Sequence, residues 1–131
     1  MSLYLAVFDG ELEIAGYAMG HYSDYDYFIE TIGAKCGAEK YPTLLEHSDC
    51  DGEWSTDRIS QLQSEIAAIR ECLKAEAPIA PHDVFEHTTG YRVGARSLYD
   101  CFHTVDGTNM LEALQALTET ALRIRQPILF Q

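Results

Sequence analysis

The sequence predicts one α+β domain over residues 1–131, with a mixed or mostly antiparallel sheet, an N-terminal hairpin and three to four helices packed on it. The chain length is the usual size of a single domain. An apolar segment with β-favouring residues opens the chain and is followed directly by Asp9-Gly10, a hairpin signal. Segments with helical apolar spacing then alternate with further predicted strands, an order typical of α+β proteins.

The first two predicted elements form the hairpin. Leu3–Phe8 is predicted to be a strand because it is apolar and rich in β-favouring residues. Asp9-Gly10 predicts a two-residue type I′ turn, in which both central residues need positive φ. Glu11–Ile14 alternates acidic and apolar residues, which predicts a second strand with one face in water.

The next segments predict a helix and a short strand. His21–Gly37 is predicted to be a helix, with Ser23 as its cap, Asp26 completing a capping box and Gly37 as its stop. Its apolar residues share one face: Tyr25, Phe28, Ile29, Ile32 and Cys36. Tyr41–Leu45 is predicted to be a short strand at a sheet edge, because it contains a proline.

A polar loop, His47–Glu53, precedes a second long helix. Ser55 is predicted to cap this helix, and Trp54 is placed to pack on Ile59 as a hydrophobic staple. The helix has a clear apolar stripe: Ile59, Leu62, Ile66, Ile69 and Leu73. Prolines at 78 and 81 end it, and 79–97 stays unassigned except for a short helix over 83–88 as one option.

The C-terminal part predicts a strand, a helix and a final strand. Leu98–Val105 mixes aromatic and β-branched residues and ends at Asp106-Gly107, which favours a strand. Thr108 is predicted to cap the last helix. The apolar stripe of that helix is Leu111, Leu114, Leu117, Ala121 and Ile124. Ile128–Phe130 follows a proline and is predicted to pair in the sheet.

The chain carries a strong negative charge. It has 21 acidic and 9 basic residues, for a net charge of −12. Residues 1–57 account for −10 of this charge and residues 58–131 for −2. Nucleic acid and anionic membranes are therefore disfavoured as partners, whereas a basic protein would be attracted. The alternative interpretation is an acidic surface that serves solubility alone.

The four cysteines are interpreted as reduced thiols of a cytoplasmic protein. The first twenty residues lack the basic start and long apolar core of a signal peptide. No stretch approaches the ~18 uninterrupted apolar residues of a membrane helix. The cysteine spacings do not fit paired Cys-x-x-Cys zinc knuckles. We therefore expect no metal and no cofactor.

The His47–Glu53 loop has the densest cluster of potential ligands and bases. It fails the calcium-loop pattern, because Gly52 is fourth counted from Asp49 and not sixth. The nearby carboxylates oppose a thiolate nucleophile at Cys50. No phosphate-loop, dinucleotide, zinc-protease or serine-hydrolase motif occurs. We therefore predict no catalytic residue and no enzymatic activity.

Two segments combine acids with aromatic residues, as protein interfaces often do. One begins the first predicted helix, and the other is the polar loop with the tryptophan that follows it. The predicted partner-binding residues are Tyr22, Asp24, Tyr25, Asp26, Asp49, Asp51, Glu53 and Trp54. The structural alternative is that Tyr25 belongs to the core, that Tyr22 staples the helix and that Trp54 only packs on the following helix.

Four blocks of sequence resemble the immunity protein 70 family of bacterial polymorphic toxin systems. They are Leu3–Gly10, Tyr41–Ser55 (YPTLLEHSDCDGEWS), Ser97–Gly107 (SLYDCFHTVDG) and Gln126–Gln131. They run in order from one end of the chain to the other and cover about a third of it. The resemblance implies a cytoplasmic protein, encoded beside a toxin, that binds and neutralises that toxin. It implies no enzyme, no metal and no catalytic residue.

The favoured hypothesis is stoichiometric occlusion of a basic toxin. The charge suggests a nuclease, because carboxylates can occupy the phosphate positions of a basic cleft. One alternative is an acidic adaptor or scaffold, including a homodimer. Another is a small hydrolase that uses the His47–Glu53 loop.

Overall fold

The computed structural model describes residues 2–48, 50–79 and 95–131. These residues form a four-stranded sheet in the order β2-β1-β4-β3, in which every neighbouring pair is antiparallel. The strands are β1 (Ser2–Asp9), β2 (Leu12–His21), β3 (Glu53–Trp54) and β4 (Ile128–Phe130). The predicted α+β fold with an N-terminal hairpin is confirmed, and the terminal strand pairs in the sheet as predicted.

Within the described ranges, four α-helices accompany the sheet: α1 (Tyr22–Ile32), α2 (Pro42–Leu45), α3 (Ile59–Lys74) and α4 (Met110–Ile124). The predicted stripe of α3 is buried throughout, and so is that of α4 up to Ala121. Both stripes join one core cluster with Leu3, Leu5 and Val7, which project from the same face of β1. The helical spacing of apolar residues thus identified the core side of both long helices correctly. None of the described helices is long and apolar enough to cross a membrane.

The hairpin turn lies one residue later than predicted. Asp9 still pairs with Leu12, so the turn consists of Gly10 and Glu11. Gly10 has a φ of 63°, whereas Glu11 is not among the described residues with positive φ. This combination fits a type II′ turn, which needs glycine only at its first central position. The type I′ prediction was therefore wrong, although the hairpin was right.

The first helix spans nearly the predicted residues but starts differently. β2 runs to His21 and α1 begins at the next residue, so Ser23 lies inside the first turn and does not cap it. After Ile32 the chain continues as a π-helical segment, Gly33–Gly37. Gly37 has a φ of 101°, which suits the predicted stop at this glycine.

The caps of the two long helices also differ from the prediction. Asn109, rather than Thr108, caps α4, because its Oδ1 accepts hydrogen bonds from the N–H groups of Leu111 and Glu112 at 2.9 and 3.3 Å. Ser55 does not cap α3, since its hydroxyl donates to Asp57 instead. The turn over 56–58 delays the helix beyond the reach of Ser55.

Two predicted strands are helical turns. Tyr41–Leu45 contains α2, with Pro42 at the start of the helix, where the fixed φ of proline favours helix. Leu98–Val105 begins with a 3₁₀ turn over Leu98–Cys101. The N–H of Leu98 donates to the carbonyl of Glu76 at the end of α3, so this segment does not join the sheet. The optional helix over 83–88 lies outside the described residues.

The interpretation of all four thiols as reduced is also wrong. Cys36 of the π-helical segment and Cys72 of α3 form a disulfide, with their Cα atoms 6.1 Å apart. Cys50 is a free exposed thiol and Cys101 a free buried one. Sequence spacing does not reveal this pair, because packing between the two helical segments brings it together.

We predict that the disulfide stabilises the fold. It closes a loop with a sequence separation of 36, for which chain entropy gives about 3 to 4 kcal/mol. Cys72→Ala should lower the free energy of unfolding by a large part of that amount, whereas Cys50→Ser should leave it nearly unchanged. Thiol titration of the denatured, unreduced protein should find the two free cysteines. Titration of all four would contradict the pairing.

Tyr99 anchors the 3₁₀ turn between the two long helices. Lys74 Nζ lies over its ring, 5.0 Å from the centroid. Its backbone carbonyl accepts a hydrogen bond from Asn109 Nδ2 at 3.0 Å. Burial, followed by interaction with the Glu112 carboxylate, raises the pKa of Tyr99 to about 12. Folding therefore favours the neutral phenol.

This shift predicts a loss of stability in alkali. The folded pKa of Tyr99 lies above its ordinary value of 10.0, so its contribution is complete below that pH and is lost as the pH rises towards 12. A spectrophotometric titration of the wild type minus that of Tyr99→Phe should isolate one late-ionising phenol. A difference curve centred near pH 10 would contradict the assignment.

A candidate partner-binding surface beside the edge strand

An open cleft of about 430 Å³ lies beside β3, the edge strand that follows the predicted polar loop. Glu46, His47, Glu53 and Arg58 contribute to its lining. The first two follow α2, Glu53 belongs to β3, and Arg58 precedes α3. The cleft therefore collects side chains from the junctions of three elements.

A buried carboxylate fixes the α2 side of the cleft. Glu65 of α3 is only 3% exposed. It accepts hydrogen bonds from the backbone N–H groups of Thr43 and Leu44, at 3.2 and 3.0 Å, and from Gln61 Nε2 at 3.1 Å. The first N–H groups of a helix lack partners within the helix. Glu65 therefore caps α2 from another helix, and its negative charge suits the positive end of the helix dipole.

Trp54 connects this cap to the sheet. Its indole Nε1 donates to the carbonyl of Thr43 at 2.9 Å. Its ring lies 4.7 Å from that of Phe130 in β4, edge to face. Trp54 is 2% exposed, so it acts as a buried link between α2 and the sheet.

His47 occupies the free edge of β3. Its ring stacks on Phe130, with centroids 4.2 Å apart and planes 23° apart. Its Nε2 lies 2.8 Å from the carbonyl oxygen of Glu53. Since Phe130 N donates to Gly52 O, the carbonyl of Glu53 faces away from β4. His47 thus covers part of an edge that could otherwise pair with another chain.

The carboxylates at this surface are available for an external partner. Glu46, Asp51 and Glu53 are all exposed. The ion pairs of the described residues join Arg70 to Glu112 and Lys74 to Glu71, away from the cleft. Arg58 shares the cleft but, within the described part of the chain, forms no ion pair with these three acids.

The structure divides the predicted partner-binding residues into accessible and buried ones. Asp51 and Glu53 are exposed, and Tyr22 and Asp26 are partly exposed. The remaining described side chains are buried, with exposed fractions of 6% for Asp24, 2% for Tyr25 and 2% for Trp54. Asp49 lies outside the described residues. The alternative that Tyr25 belongs to the core is confirmed. Trp54 is a core residue of β3 and shares the core cluster with Ile59, but it does not directly precede the helix cap as predicted, because α3 is preceded by Arg58.

The two predicted segments lie at opposite edges of the sheet. Tyr22 directly follows β2, and Asp51 lies two residues before the short strand β3 at the opposite edge of the sheet. Three strand spacings, about 14 Å, separate these edges. Sequence analysis also missed Glu46 and Arg58, because it predicted a strand where α2 lies. The proline at the start of α2 was the available signal.

The chemistry at this surface suits binding. Among the described residues, no group of three or more His, Cys, Asp or Glu side chains is arranged to hold a metal ion.

A family model described as immunity protein 70 matches residues 10–130. The chain belongs to the immunity protein 70 family. This confirms the resemblance, and membership suggests a non-catalytic inhibitor whose partner is a protein toxin. Neither the curated proteins nor the solved structures compared with the chain gave a match.

We predict that removing the buried cap destabilises the protein. Glu65→Ala would leave the N–H groups of Thr43 and Leu44 without acceptors and should cost about 3 kcal/mol of unfolding free energy. Glu65→Gln keeps one acceptor oxygen and should cost less. Glu71→Ala removes an exposed i,i+3 pair from the same helix and should change stability by less than about 1 kcal/mol. Equal losses for the two alanine variants in chemical denaturation would rule out the capping role.

Proposed function

We propose that this protein is an immunity protein that binds a cognate bacterial toxin and neutralises it by stoichiometric occlusion. The family match over residues 10–130 carries the proposal. The surface beside β3 supports it, because exposed carboxylates there have no internal cationic partner among the described residues. The contacts we propose there are Asp51 and Glu53, with Glu46 added by the structure; Asp49 belongs to the same loop.

The charge of the chain supports a basic toxin. A net charge of −12 attracts a positively charged partner over a distance and speeds its approach. Nucleases have basic clefts that bind phosphate, so acidic side chains of an inhibitor can occupy such a cleft. A nuclease is therefore the toxin class that we propose. Tyr22 and Asp26 remain proposed contacts at the other edge of the sheet.

The proposal assigns no catalytic residue, metal or cofactor to this chain, and it places the protein in the cytoplasm of the toxin-producing cell. The Cys36–Cys72 disulfide is unusual for this location, because disulfides are more typical of oxidising compartments. Fractionation of producing cells, with trapping of the Cys36 and Cys72 thiols, tests the location separately from the activity.

Co-expression tests the proposed function directly. The toxin domain encoded beside this gene should stop bacterial growth, and co-expression of this protein should restore it. The purified pair should form a complex of one to one stoichiometry. An unrelated toxin domain serves as the control and should not be neutralised. A neighbouring toxin that is neither bound nor neutralised would refute the proposal.

We predict that reversing charge beside β3 slows association. The double variant Asp51→Lys/Glu53→Lys should lower the association rate with the toxin about tenfold in low salt, and much less in high salt, because salt screens exposed charges. The variant Glu71→Lys/Glu119→Lys is the matched control, since it changes the net charge equally on α3 and α4. Equal effects of the two variants would remove the β3 surface from the interface.

A further inference from the structure

The sheet has a second face, on which Ala6 is buried but the larger apolar side chains of the described residues lie outside the core cluster. Antiparallel register places a second set of side chains, which includes the six named next, on the face opposite Leu5 and Phe130. We call this the outer face: Tyr4, Ala6, Phe8, Glu13, Glu53 and Leu129. Tyr4, Phe8 and Leu129 are partly exposed. None of these three is among the apolar side chains that pack against the core cluster.

The outer face has an apolar centre between two acidic edges. Phe8 and Leu129 lie on the inner strands β1 and β4, whereas Glu13 lies on β2 and Glu53 on β3. The two carboxylates are therefore separated by three strand spacings, about 14 Å across the sheet. Both glutamates are exposed.

Gly16 on the edge strand β2 leaves room for the Tyr4 side chain. A Cβ atom at this position would collide with the Tyr4 hydroxyl. Tyr4 therefore lies across β2 and donates a hydrogen bond to Glu13 Oε2 at 2.8 Å. A tyrosine held flat offers a rigid apolar surface whose side-chain entropy is already restricted, which favours its use in binding.

An exposed apolar side chain lies next to this face at the hairpin. Ile14, the extra residue that follows Glu13 at the bulge of β2, has an exposed fraction of 38%. A hollow of about 210 Å³ lies beside Phe8 and Leu129 and is also lined by Gly10, Gln126 and Pro127. An apolar surface with an acidic rim, next to a hollow that fits one side chain, is typical of a protein-binding site.

We propose that the outer face is the main docking surface for the toxin, and this inference rests on the function proposed above. The partner it fits is a basic protein surface with an apolar centre. Lys or Arg side chains would meet Glu13 and Glu53, and an apolar side chain would cover Phe8 and Leu129. Because Glu53 also lines the cleft beside β3, the two surfaces are continuous.

Charge decides between a toxin and a second copy of this chain as the occupant. Two copies joined by this face would bring their acidic rims together, and each copy carries a net charge of −12. Like charges placed across an interface cost several kcal/mol. A basic partner instead neutralises both edges.

The test introduces lysine into the apolar part of the face. Phe8→Lys and Ile14→Lys should each weaken binding of the neighbouring toxin domain at least about tenfold, with unfolding curves confirming that the variants are folded. Leu122→Lys is the matched control, since Leu122 is 36% exposed on α4; its affinity should stay within about twofold of wild type. Wild-type affinity in folded Phe8→Lys and Ile14→Lys would overturn the proposal.

A measurement on the wild type keeps the test valid if the variants unfold. In methyl-labelled protein, the signals of Ile14 and Leu129 should change on addition of the toxin domain, and that of Leu122 should not. The reverse pattern would overturn the proposal while leaving the proposed function intact. Absence of any binding by the wild type would refute the proposed function itself. A dimer of the free protein that Phe8→Lys dissociates would assign the face to self-association and overturn the proposal.

Discussion

The Glu65 carboxylate holds the four-residue helix α2 against α3, and the geometry beside β3 depends on this interaction. A helix this short cannot satisfy its own N-terminal N–H groups and is unstable alone. Once α2 is held, the carbonyl of Thr43 is in place to accept the indole N–H of Trp54. Trp54 in turn fixes β3, so a buried charge in the core sets the position of Glu53 at the surface.

Affinity and association rate have different physical sources in this molecule. The acids of the first half of the chain have few local cations, and such a surplus repels itself in the folded state. That cost offsets part of the fold's stability, but the same charges speed the approach of a basic protein. Charge adds little affinity by itself, whereas the burial of aromatic and apolar side chains adds more. The outer face has both kinds of group: acids at its edges that speed association, and Phe8 and Leu129 between them that add affinity when a partner buries them.

The elements that the sequence predicts correctly depend on local periodicity. The stripes of α3 and α4, the hairpin and the terminal strand are all visible within short windows of sequence. The errors occur where distant groups determine structure. α2 depends on a carboxylate 21 to 22 residues away, and the 3₁₀ turn at Tyr99 is held by Asn109. The disulfide joins cysteines 36 residues apart. No local pattern encodes these contacts.

The candidate surface was harder to predict because composition does not distinguish the two faces of an apolar strand. Aromatic residues beside acids suggested an interface, yet Tyr25 and Trp54 pack into the core. Phe8 and Leu129 lie in continuous apolar runs, which normally indicate strands covered on both faces. Among the described residues, the core cluster includes Leu5 and Val7 on one face of β1 but not Phe8 or Leu129 on the other. Packing within the described part of the chain therefore explains Leu5 and Val7 but not an apolar residue at Phe8 or Leu129. Contact with an external partner would explain both.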